Sequence, residues 1–333
     1  MTTPKITIIV LNWNGKDDTL ECLSSITNIN YSNYEVVVVD NGSSDDSVYA
    51  IHSQFPNIHV IETGKNHGFA EGNNFGIRYA LDEGADYILI LNNDTTVDPG
   101  LIKNLVNSAK TNPHAGLIGP KIYYHAQPKV IWAAGGYWDE LGMCFEQTGD
   151  GEIDTGQYDT TVSTDFIVGC AMFIPAEVFR TVGLLDSDYF LNYEEIDFQC
   201  RVRAAGYTTL YEPHAHIWHK IAASFGGDSS PLKYYFIFRN RLLWAQRHLP
   251  WNKKLAVFWS VHFGLLKQFY RPFIKQIRND FSLKNIYWAY SSASSNPLFK
   301  ARAIGIIDYW KNNLGNCPEQ IHTLNRSWVK HQK

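Results

Sequence analysis

The chain has 333 residues, 45% apolar and 19% charged, which suffices for one large domain or two ordinary ones and excludes general disorder. A net charge of −4 conceals a division. Residues 231–333 carry 17 Lys/Arg against 3 Asp/Glu, a local net of +14, and the first 230 residues carry 12 basic against 30 acidic groups, a net of −18.

The first third alternates strand and helix. Ile6 to Leu11 is a continuous β-branched run typical of a buried parallel strand, and Leu20, Leu23 and Ile26 repeat at helical spacing behind it. Val36 to Val39 is a second strand, ending at Asp40, and Val48, Ile51 and Phe55 mark a helix. A third strand runs from Ile58 to Ile61, a helix covers Phe75 to Leu81, and a fourth strand, Tyr87 to Leu91, ends in Asn92-Asn93-Asp94. Asp98-Pro99 opens a helix with Leu101, Leu105 and Ala109 in register. Strands separated by helices mean βαβ units and a parallel sheet. Between Ile131 and Thr160 the chain is acidic and Gly-rich, a hairpin or mobile loop. Phe166 to Ile174 reads as a strand, Glu194 to Ala205 as a helix stopped by Gly206, and Tyr207 to Tyr211 as a further strand. Three helices are expected in the basic end: Tyr234 to Arg247, Lys254 to Arg278 and Phe299 to Asn313.

Ligands of open parallel sheets bind beyond the carboxyl ends of the strands. Those ends carry Asn12-Trp13-Asn14, Asp40-Asn41-Gly42-Ser43-Ser44-Asp45 and Asn92-Asn93-Asp94. One Asp after a strand is usually a turn or helix cap; three Asn/Asp-rich clusters on one edge point to a site. No GxGxxG follows the first strand and no GxxxxGK[ST] occurs, which disfavours dehydrogenases and P-loop NTPases. A phosphate must then be met differently, most simply through Mg²⁺ or Mn²⁺ held by a carboxylate, and Asp94 is placed for that. The 10 Trp and 19 Tyr suit sugar, base or interface contacts. Five cysteines without a CxxC unit argue for a reducing compartment, and the N-terminal segment lacks the signature of a signal peptide. The apolar stretch Leu255 to Leu266 is too short to span a bilayer. The basic tail calls for an anionic partner; it has no nucleic-acid recognition motif.

Seven segments, in this order, carry a resemblance: TIIVLNWNG, VVVVDNGSSDDS, NHGFAEGNNFGIRYAL, YILILNNDTTVDP, VGCAMFIPAEVFRTVGLLDSDYFLNYEEIDFQCRVRAAGY, HIWHKIAAS and YYFIFRNRL. The chain resembles family 2 glycosyltransferases of the GT-A fold, in the bacterial rhamnosyltransferase-like branch, over about residues 5–245. The resemblance implies a Rossmann-like mixed α/β sheet with helices on both faces. It implies a catalytic domain over 1–230, with a nucleotide-binding half (1–120) and an acceptor-binding half (121–230); charge and helical pattern set off a basic helical region over 231–333, which carries little of the resemblance. It further implies inverting transfer of a sugar from a nucleotide donor, dTDP-rhamnose first and a UDP-hexose next, to a glycan or polyprenyl-diphosphate-linked acceptor in cell-surface polysaccharide synthesis. The alternative is a non-catalytic scaffold that binds a sugar nucleotide or glycan.

By the same resemblance, Asp40 accepts the imino N–H of a pyrimidine, with Asn12 and Asn14 lining its pocket. Asn66, Gly68, Asn73, Arg78 and Asn93 meet the rest of the donor. Asn92-Asn93-Asp94 fills the DxD position, with Asn92 replacing its first carboxylate, and His219 joins Asp94 as metal ligand. Glu195 is the general base, a role suited to a carboxylate within reach of the acceptor hydroxyl. Glu194, Asp197 and Trp218 are expected on the acceptor side. Expected cellular context is the cytoplasm, with peripheral membrane contact through the basic tail.

Overall fold

The computed structural model describes residues 3–221, 230–277 and 295–332. The chain forms two compact units, one of residues 1–187 and 194–221, the other of residues 188–193 and 222–333.

The first unit is a mixed α/β sheet with helices packed on it. Strands β1 (Ile6–Asn12), β2 (Tyr34–Asp40), β3 (His59–Glu62) and β4 (Tyr87–Asn92) are mutually parallel, with β1 paired between β2 and β4. Their interleaved helices are α1 (Lys16–Ile26), α2 (Ser47–Gln54) and α3 (Gly68–Asp82). The near-continuous burial of β1 explains its run of apolar and β-branched residues, because both of its faces are covered. After β4 come the short β5 (Thr95–Val97) and α4 (Leu101–Thr111), whose Leu101, Leu105 and Ala109 are buried.

Sequence periodicity did not reveal β6 (Ala115–Tyr124) or β7 (Gln127–Ala133). Gly116, Gly119 and Pro120 interrupt the pattern of β6, and each is accommodated by tertiary contact. A Cβ on Gly119 would lie 2.2 Å from the Ile167 side chain, and Pro120 sits where the pairing with β12 (Thr208–His219) shifts register. A proline that cannot donate to the ladder is tolerated at such an irregularity. Strand β12 continues to His219 rather than ending at Tyr211, because it pairs in parallel with β6 along its length.

Within residues 131–160 stands a hairpin, β8 (Gly136–Asp139) with β9 (Cys144–Gln147), and β10 (Val162–Ser163) edges the sheet against β12. The expected strand from Phe166 to Ile174 shortens to β11 (Ala171–Pro175), antiparallel to β4. Its first half leaves the sheet because a side chain takes up the Ile167 peptide, as described below. Two helices complete the unit, α5 (Ala176–Val182), which the sequence reading did not anticipate, and α6 (Glu194–Ala204). Sheet order is β10-β12-β6-β11-β4-β1-β2-β3.

The second unit is helical among its described residues: α7 (Pro231–His248), α8 (Trp251–Ile277), α9 (Pro297–Trp310) and α10 (Glu319–Gln332). Ser230 and Asn296 cap α7 and α9, each followed by Pro at the first helical position. The expected helix end at Arg278 lies outside the described residues. Fully buried Arg239 and Asn240, within YYFIFRNRL, hold the segment 188–193. Asn240 donates its amide to the carbonyls of Tyr189, Leu191 and Asn192, at 2.8, 2.8 and 2.7 Å. Arg239 donates to those of Asp188 and Tyr189. Phe190, Asn192 and Tyr193 in that segment have left-handed backbone, a strain that persists only where contacts over-determine it.

Candidate active site

The register of the parallel strands fixes the site. Asn12 on β1 stands opposite Asp40 on β2, and Leu11 opposite Asn92 on β4. Three polar clusters, separated by up to 80 residues of chain, therefore end side by side.

One hydrogen-bond chain joins them. Buried Asn12 donates its amide to Asp40 Oδ1 at 2.8 Å and to the Ser43 hydroxyl at 3.1 Å. Its own Oδ1 accepts from the Thr19 hydroxyl at 2.8 Å, and Asn93 donates to that same hydroxyl at 2.9 Å. Asp40 Oδ2 accepts from the Ser43 amide, so its carboxylate is oriented by the turn that follows β2. Asn14, with φ of +51°, accepts from the Ser44 amide at 2.7 Å. Asn41, which the sequence reading did not single out, is buried and stitches this edge to the start of α3. It donates to Asn66 Oδ1 and the Gly68 carbonyl and accepts from the His67 amide. Its signal was its place beside Asp40 in the strand-end cluster. Gly68 begins α3 with φ of +80°. At Gly72 the requirement is packing, since a Cβ there would lie 2.7 Å from the Leu11 side chain.

The β4–β5 turn carries Asp94, and β12 pairs antiparallel with β5 so that His219 faces Thr95. That pairing brings His219 Nε2 to 3.0 Å from Asp94 Oδ1, with both residues buried. The other ring nitrogen of His219 is buried with no hydrogen-bond partner. An imidazole nitrogen and a carboxylate oxygen converging in a buried place, with the ring's second nitrogen unpartnered, fit a divalent cation that completes its shell with phosphate and water.

The acidic cluster opens α6. Glu194 is 4% exposed, and one of its oxygens has no hydrogen-bond partner. Burial, then the neighbouring Glu195 and Asp197 charges, push its carboxyl well above the ordinary range. The Glu195 side chain lies against Gly169, where an added Cβ would stand 3.2 Å from that of Glu195. The next residue, Cys170, accepts from the Asn92 amide at 2.8 Å. Burial, then the charges of Asp94 and Glu195, raise the Cys170 thiol far above its usual range. Gln199, one turn after Glu195, fixes this arrangement. Its amide accepts from the Ile167 N–H at 2.7 Å and donates to the Ile167 carbonyl at 2.8 Å and the Glu195 carbonyl at 3.0 Å. A mid-helix Gln gives no sequence signal for such a role.

The sequence model of Glycosyl transferase family 2 matches residues 7–183, more than half the chain. The chain belongs to glycosyl transferase family 2. It is 29% identical over 240 residues to the low-salt glycan biosynthesis hexosyltransferase Agl10 of Haloferax volcanii, covering 72% of this chain and 74% of the relative. It is 27% identical over 235 residues to the N-acetylglucosaminyl-diphospho-decaprenol L-rhamnosyltransferase of Mycobacterium tuberculosis, covering 65% of this chain and 76% of the relative. Among solved structures, a mannosyltransferase from Pyrobaculum calidifontis in complex with GDP-Man and Mn²⁺ superposes with a TM-score of 0.56 at 14% identity, covering 94% of this chain and 88% of the other. The fold is the GT-A fold, and the protein is a glycosyltransferase of glycan biosynthesis.

Within this family 2 site the other expected residues are differently engaged. Arg78 pairs with Glu71 at 2.9 Å and lies over the Phe75 ring, about 15 Å along α3 from Gly68 at 1.5 Å per residue. It does not join the strand-end cluster. Asn73 donates within α3 to the Phe69 carbonyl. Asp197 is buried in an ion pair with Arg201 at 2.8 Å, an (i, i+4) contact of α6 itself. Trp218 donates to the Pro128 carbonyl and stacks on Tyr123. Among the described residues no helix is long and apolar enough to cross a membrane.

Proposed function

We propose that this glycosyltransferase moves a sugar, rhamnose from dTDP-rhamnose first and a hexose from a UDP-sugar next, to a hydroxyl of a glycan or polyprenyl-diphosphate-linked acceptor, with inversion. The observation that carries the reading is the hydrogen-bond chain Asp40–Asn12–Thr19–Asn93 beside the buried Asp94–His219 pair. The rhamnose preference draws on the mycobacterial relative, whose acceptor is a decaprenyl diphosphate-linked sugar. The five cysteines are all free thiols, in keeping with the cytoplasm as the place of reaction.

Asp40, oriented by Asn12 and Ser43, accepts the imino N–H of the pyrimidine, and the Asn14 turn borders the base. Asn66, Gly68, Asn73 and Asn93 border the remainder of the donor. Asp94 and His219 would hold Mg²⁺ or Mn²⁺, which supplies positive charge against the diphosphate leaving group. The Mn²⁺ bound with the mannosyltransferase supports a divalent ion of this kind. Glu195 takes the proton of the acceptor hydroxyl as its oxygen attacks the anomeric carbon opposite the diphosphate, and the attack inverts that carbon. Glu194, whose carboxyl is pushed well above the ordinary range by burial, holds the acceptor beside Glu195.

A donor screen tests the reading: sugar nucleotides are added to the purified protein with and without Mn²⁺, and melting and sugar transfer are followed. Stabilisation by one pyrimidine donor, larger with metal and accompanied by transfer, is the expected result. A second reading, a non-catalytic binder, is favoured by Asn92 in place of a carboxylate. Donor binding without hydrolysis or transfer to any acceptor would select it.

A further inference from the structure

The helical unit presents an aromatic face that its own core does not use. Along α8, Val257 and Val261 are fully buried, while Trp251, Leu255, Trp259 and Phe263, spaced four apart, point outward. Trp251 is 76% exposed, Trp259 72% and Phe263 63%. Trp310 of α9 joins them. It is 62% exposed, yet its ring packs beside Phe258 and its indole N–H donates to His262 on α8 at 3.1 Å. These rings are held in place by the helices that carry them, so little ordering is needed before they meet a partner. Soluble surfaces rarely show several large aromatics together unless something covers them.

Charge indicates what covers them. The 103 residues from Pro231 onward hold 17 basic and 3 acidic groups. Lys253 and Lys254 follow Trp251 on α8, and exposed Lys311 follows Trp310. Tryptophan favours the boundary between headgroups and acyl chains, and lysines beside it favour anionic headgroups. A helix with aromatics on one side and a basic surround, without a span, is the pattern of a helix lying in a bilayer surface.

We propose that the outward face of α8, with Trp310, docks the protein on an anionic membrane surface, Trp251, Trp259 and Phe263 entering the headgroup boundary. The inference concerns the helical unit by itself and stands whether or not the sugar assignment does.

Vesicle sedimentation of the full chain tests it, with phosphatidylcholine alone and with equal parts phosphatidylcholine and phosphatidylglycerol. The expected result is pelleting with the anionic vesicles that weakens as salt screens the lysines. Trp259→Ser should lower the ratio of bound to free protein about tenfold, and Lys254→Gln about fivefold. Trp259 faces outward, so melting of Trp259→Ser should be unchanged; Lys254 is half-buried, so binding by its variant is compared with wild type at temperatures where both are shown to be folded. Absence of pelleting at low salt, equal pelleting with neutral vesicles, or undiminished binding by a Trp251→Ser/Trp259→Ser variant would each overturn the proposal. So would a dimer that forms without lipid and dissociates on Trp259→Ser, which would assign the face to a second copy of this chain.

Discussion

His219 Nε2 lies 3.0 Å from Asp94 Oδ1, across 125 residues of chain. Strand β12 makes the encounter by pairing with both β6 and β5, so a histidine at its end is delivered to the turn after β4. If the pair holds the cation, calorimetry of dTDP or UDP binding should show stimulation by Mn²⁺ in the wild type. Asp94→Ala should reduce that stimulation by roughly 10–100-fold or more, on the scale of perturbed metal sites. His219→Ala should act in the same direction. Equal metal dependence in wild type and Asp94→Ala would remove the assignment.

Glu195→Gln preserves shape and removes the basic carboxylate. Turnover should fall by about 10²–10⁴-fold, the usual scale of general-base catalysis, with nucleotide affinity near that of wild type. Normal turnover in Glu195→Gln together with loss in Asp197→Asn would move the base to Asp197, against the ion pair that Asp197 makes with Arg201.

Glu194 supplies a pH test. Its folded carboxyl titrates well above the usual range, chiefly through burial, so the folded protein retains a proton that the unfolded chain has released. Stability from this group is therefore complete below the ordinary carboxylate value of about 4.3 and is lost as pH rises from there towards the raised folded value. Glu194→Gln carries no titrating proton. Its melting temperature should decline less with rising pH than that of wild type, and parallel profiles would refute the account.

Asn240 satisfies three carbonyls of the left-handed stretch before α6. Asn240→Ala leaves them without that partner, at about 1–3 kcal/mol for a buried polar group left unpaired. Urea denaturation of the two proteins should show a lower midpoint for the variant with a similar slope. An unchanged midpoint would mean that the segment is held without Asn240.

Much of the sheet could be read from the sequence because its first four strands are local in pattern. Buried parallel strands need apolar or β-branched residues at nearly every position, and Ile6 to Leu11 and Val36 to Val39 supply them, Thr7 meeting Glu35 with its hydroxyl. The polar residues that end each strand were equally legible, and the parallel register then aligned Asn12 with Asp40. Strand β6 was not legible, since Gly116, Gly119 and Pro120 break its pattern for reasons that lie in Tyr207, Ile167 and the bulge against β12.

The site divides in the same way. The sequence by itself determined which residues had suitable chemistry: the strand-end carboxylates and amides, His219 and the acids opening α6. Only the tertiary structure decided how they are engaged. It paired Asp94 with His219, withdrew Arg78 to Glu71 and Asp197 to Arg201, and gave Asn41 and Gln199 their places. The physical reason is that apolar periodicity is written along neighbouring residues, whereas a hydrogen bond between distant side chains depends on strand register and helix packing, which no local pattern encodes.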